Sequence, residues 1–142
     1  MNTMLRALAL AAALSLTGQA WAERIAPQAG SKVYIVSPLN GETVSSPGVV
    51  RFGLSGMGVA PAGVENPKTG HHHLLIDTGH QDVDLQKPLP FTDQTRHFGG
   101  GQTEVALELK PGPHTLQLLF ADWKHTSFEP PLVSEKISIT VK

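Results

Sequence analysis

The chain has 142 residues, 40% of them hydrophobic and 16% charged, with a formal net charge of −1. That balance excludes a disordered or collagen-like chain and the basic footprint of a nucleic-acid-binding protein, and the length suits one domain. Seven His and no Cys exclude disulfide frameworks, Cys-based zinc fingers, iron–sulfur clusters and thiol catalysis, and leave imidazole as the chemistry to explain.

Met1–Arg6 carries one positive charge, Ala7–Leu16 is apolar apart from Ser15, and Ala20-Trp21-Ala22 is an A-x-A pattern before Glu23. These three parts predict a secretory signal peptide over 1–22, cleaved on export to the periplasm. The apolar run is shorter than the roughly 20 residues that a membrane-spanning helix needs, and no membrane span is expected after cleavage. Residues 23–31 form a short lead-in, and 32–142 are expected to make one β-sandwich domain.

Within that segment, strand-like runs alternate with turn chemistry. Lys32–Val36 is β-rich and is broken by Asn40-Gly41, a hairpin-type turn signal. Val49–Leu54 alternates apolar and polar. Gly56–Gly70 is a Gly/Pro/Ala-rich loop, and His71–Asp77 is the next strand. Thr78–Phe98 is long and polar, with Pro88 and Pro90, and Gly99–Gly101 makes a flexible turn. Thr103–Leu109, His114–Ala121 and Leu132–Val141 complete the strands. No sustained helical period appears in 23–142. The pattern predicts an all-β chain, an immunoglobulin-like antiparallel β-sandwich, with a small cupin-like β-barrel as the alternative.

Side chains alternate across a strand, so His71 and His73 share one face and His72 the other. Two imidazoles at this spacing can lean onto one metal ion at bonds of about 2.0–2.1 Å. Asp77 follows in the same alternation. His72, Leu74 and Ile76 read as the core side, with His72 packed. His114 leads a strand whose Leu116, Leu118 and Phe120 share its face, and it too reads as a core residue. His97 and His125 lie where loops meet strands and can complete a shell begun by His71 and His73. His80, beside Gly79 in a polar loop, reads as solvated. The expected metal ligands are therefore His71, His73, His97 and His125.

Imidazole suits Zn(II), Cu(II) and Ni(II), with affinity highest for Cu(II). Cu(II) or Zn(II) is the expected ion, with no organic cofactor. With no Cys, and with Met57 the lone Met past the signal peptide, a sulfur-based Cu(I) site has no ligand set. Hydrolysis would need a water-bearing open position and a nearby acid, for which Glu104 and Glu129 are candidates by sequence proximity alone. No nucleophile elbow, phosphate loop or His-Glu-x-x-His motif is present. His71-x-His73 with Asp77 and His114 partly resembles cupin metal motifs, but Asp77 replaces the usual Glu and Leu118 the expected Asn.

Gly70–Asp77 (GHHHLLID), His97–Glu104 (HFGGGQTE) and Leu109–Asp122 (LKPGPHTLQLLFAD), followed by His125 and Pro130-Pro131, resemble a bacterial exported family. It is catalogued as a domain of unknown function and marked by a triple-His strand. The resemblance covers about Val33 to Val141. It implies that His71, His72, His73, His97, Gly99–Gly101, His114 and His125 belong to the family pattern, and it implies no reaction or substrate. The leading expectation is a periplasmic metal-binding module rather than an enzyme. The alternative is a cell-envelope interaction module whose partner is another envelope protein.

Overall fold

A computed structural model describes residues 23–142; the signal peptide expected over 1–22 lies outside the described residues. Two sheets face each other. The smaller has the order β1 (Lys32–Ser37), β3 (Gly48–Ser55), β7 (Glu104–Leu107), all antiparallel. The larger runs β2 (Thr43–Val44), β10 (Ile137–Val141), β8 (Gly112–Ala121), β5 (Thr69–Ile76), β4 (Gly58–Val59). To it are added β6 (Thr95–His97), paired with β5, and β9 (Ser127–Val133), paired with β8. Pairing is antiparallel except for the two-residue strands β2 and β4, which run parallel to β10 and β5. The sheets do not close on each other, so the chain is a β-sandwich and not the cupin-like barrel. Among the described residues no helix is long and apolar enough to cross a membrane.

The core between the sheets follows from alternation. Val33, Val50, Phe52 and Leu107 project from the small sheet, and Leu74, Ile76, Leu116, Leu118, Phe120, Ile137, Ile139 and Val141 from the large one. Each such side chain contributes about 1.5–3 kcal/mol when fully buried. One of the expected segments resolves further. Leu132–Val141 is the end of β9 plus all of β10, divided at Ser134, whose hydroxyl accepts the Leu118 N–H. The short β2, β4 and β6 carry too few residues to show an alternating pattern.

β5 is buried along its whole length except at its first residue, although one face of a sandwich sheet normally meets water. The long connection from 77 to 94 explains this. It folds across the outer face of the large sheet, where Leu89 from the connection joins Leu75, Leu119 and Ala121, with Val83, Leu85 and Val133 at the margin. The long polar segment after β5 is thus the cover over the outer side of that strand.

Candidate metal centre

Cross-strand register gathers the histidines. His71 and His73 point to the outer face of β5, opposite Ala121 and Leu119 of β8. On the other edge His73 stands directly opposite His97 of β6, and opposed residues project from the same face. The next residue, Phe98, turns inward and packs on Phe52 with ring centroids 4.9 Å apart. The chain then bends through Gly99. A Cβ on Gly99 would run into the His97 ring, so glycine there leaves the room His97 occupies.

His125 arrives from the β8–β9 turn. One carboxylate oxygen of Asp122 accepts the Lys124 and Thr126 N–H groups at 2.9 and 2.8 Å, and the Asp122 carbonyl accepts the His125 N–H at 3.0 Å. This tight reversal holds His125 at φ +65°, the left-handed region that few non-glycine residues adopt. Its carbonyl accepts the Leu89 N–H at 2.9 Å, which ties the turn to the covering connection.

Three imidazoles, from His71, His97 and His125, each offer a nitrogen within 4.8 Å of the others, a group that can hold a metal ion. Their ring centroids lie 4.7–5.0 Å apart. His73 stands beside them, 4.8 Å from His71 and 5.2 Å from His97 but 6.1 Å from His125 by centroid. A tetrahedral shell with bonds of about 2.0–2.1 Å places its nitrogens roughly 3.4 Å apart, so modest ring rotations suffice.

The nitrogens are also unemployed. His71 and His73 are fully buried, and among the described residues neither ring nitrogen of either has a hydrogen-bond partner; the buried Nε2 atoms of His97 and His125 have none there either. Buried polar atoms are nearly always bonded, so such a concentration marks a place where something else supplies the partner. Burial, together with the neighbouring imidazoles, lowers the His71 pKa to about 4 and that of His73 further still; burial and His125 lower that of His97. These rings are neutral at pH 7, the form that binds metal. Phe91 closes the solvent side. Its ring stacks on His97 at 4.3 Å and 19° and meets His125 edge-on at 5.0 Å.

The remaining histidines separate. His72 points into the sandwich between Phe52 and Phe120, at 5.2 and 5.0 Å, as expected of a packed residue. His114 is not in the core. It is half-buried, and its Nδ1 pairs with Asp77 at 2.8 Å while its Nε2–H donates to the Lys110 carbonyl at 2.8 Å, which raises its pKa. Asp77 therefore belongs with His114 and not with the β5 histidines, because φ +56° turns it out of the strand. That separation also removes the partial cupin likeness. His80 is not simply solvated: its ring and its backbone N–H both meet the side-chain amide oxygen (Oε1) of the buried Gln117, at 3.3 and 3.0 Å. Sequence reasoning missed Phe91, Leu89 and Asp122; the Asp that precedes a Trp-Lys-His turn was the one local signal for the last.

No curated protein and no solved structure matches the chain. The family model described as "Domain of unknown function (DUF4399)" matches residues 50–142, which include all seven histidines, and the chain belongs to that family.

Proposed function

We propose that the protein is a periplasmic metal-binding module, exported by removal of 1–22. It holds one copper or zinc ion through His71, His97 and His125, with His73 as a fourth imidazole. The observation that carries this reading is the convergence of the three imidazoles with buried ring nitrogens that have no hydrogen-bond partner among the described residues. Histidine rings are the usual ligands for these ions, and the lowered pKa values of His71, His73 and His97 let those rings bind without first losing a proton.

Untagged protein, purified without a nickel column, tests it. One tightly held metal ion per chain is expected, and the double variant His71→Ala with His73→Ala should lose it while keeping its β-type circular dichroism. His97→Gln, on a half-buried residue, gives a milder second variant that should weaken uptake. No uptake tighter than micromolar, or uptake unchanged in both variants, overturns the proposal.

A further inference from the structure

The charge surrounding this cluster discriminates between ions. A divalent ion in a buried site is stabilised more by anionic partners than a monovalent one, because the cost of burying charge rises with its square. Zinc-type sites commonly meet this need with carboxylates, either as ligands or behind the ligating histidines. Here the converging group contains no carboxylate. Among the described residues the one His–carboxylate pair is His114–Asp77, on another part of the sheet. Behind His71 and His73 lie Leu75, Leu89, Leu119 and Ala121. On the solvent side, where an anion could enter with the metal, stands the Phe91 ring, in contact with both His97 and His125.

Resting on the metal-site reading above, we propose that the site selects the lower charge. It holds copper as Cu(I), trigonally, through the His71, His97 and His125 nitrogens, with His73, 6.1 Å from His125 by centroid, left beside the shell, in preference to Cu(II) or Zn(II). Because imidazole ligands bring no negative charge, Cu(I) leaves a single positive charge to bury instead of two. An apolar shell of this kind raises the potential of a bound metal by destabilising its more highly charged state. Imidazole nitrogens replace the sulfur ligands whose absence argued against Cu(I) in the sequence. The aromatic face of Phe91 keeps water and anionic co-ligands away.

The test uses the untagged, signal-free chain. Its Cu(I) affinity is measured anaerobically under ascorbate in competition with bicinchoninate; its Cu(II) and Zn(II) affinities are measured without reductant in competition with nitrilotriacetate. We expect Cu(I) to bind at least about a hundredfold more tightly than Cu(II), which corresponds to a copper potential raised by about 120 mV over the aqueous couple. Phe91→Asp places a carboxylate at the solvent side on an exposed residue, 60% accessible, and should lower the Cu(I)-to-Cu(II) ratio at least about tenfold. Phe91→Leu should leave the ratio within a factor of about three. Stoichiometric binding with Cu(II) or Zn(II) equal to or tighter than Cu(I) overturns the charge selection and leaves the metal site standing. A ratio that Phe91→Asp does not move overturns it too. Failure of all three ions to bind overturns both readings.

Discussion

His72→Leu should make the protein both more stable and less sensitive to acid. The ring is fully buried in the sandwich between Phe52 and Phe120, and among the described residues neither of its nitrogens has a hydrogen-bond partner. Burial lowers its pKa from 6.5 to about 4. A histidine whose folded-state pKa lies below its unfolded value binds fewer protons when folded. Its cost to the fold is therefore smallest above pH 6.5 and grows as pH falls through the window from 6.5 to 4. The drop of about 2.5 pH units corresponds to at most about 3 kcal/mol at 1.36 kcal/mol per unit. Leu matches the volume and removes two unsatisfied polar atoms, a gain of about 1–3 kcal/mol at pH 7. Urea unfolding of the metal-free chain in chelator, at pH 7.5, 6, 5 and 4, measures both effects. The wild type should lose up to about 3 kcal/mol more than the variant across the series. Parallel stability curves, or a variant less stable at pH 7.5, would refute the reasoning. Because His72 points away from the cluster, metal stoichiometry should not change.

Three further outcomes follow from other contacts. Gly99→Ala should displace the half-buried His97 ring and weaken metal affinity about 10–100-fold, the range seen when a ligand's support is lost, with an unfolding midpoint moved by little; calorimetric metal titration checks it. Asp77→Asn should return the His114 pKa toward 6.5, read by NMR titration of the ring protons. Since the Asp77 contact raises that pKa, its contribution is full below pH 6.5 and fades as pH rises through the folded value, and with Asp77 partly exposed it is under about 1 kcal/mol. Arg24→Ala should cost about 1–3 kcal/mol, seen as a lower thermal midpoint: the largely buried guanidinium pairs with Glu129 at 2.7 Å and donates to the Ser127 and Phe128 carbonyls.

The β-class and the main strands are visible in the sequence because alternation is a local property. Val105 and Leu107, or Ile137, Ile139 and Val141, announce their faces without reference to anything distant. The outward direction of His71 and His73 is local in the same way, and it holds. The neighbours on that face are not local. His97 comes opposite His73 through β6, a three-residue strand too short to show a period. His125 reaches the group through a turn set by Asp122 and through a left-handed φ that no propensity favours for histidine. The misplacement of His114 has the same origin. Its alternation with Leu116 and Leu118 is real and Ile139 stands opposite it, but it sits near the start of β8, where Asp77 and the Lys110 carbonyl take up its ring nitrogens. The connection from 77 to 94 looks like a polar loop because only Leu89, with Val83 and Leu85 at the margin, faces inward.

X-ray absorption at the metal edge of the loaded, untagged chain tests the central claim most directly. Three imidazole nitrogens at about 2.0 Å, with the multiple-scattering pattern of histidine rings, are predicted, or four if His73 joins the shell. A shell dominated by carboxylate or water oxygen, or fewer than three imidazoles, would contradict it.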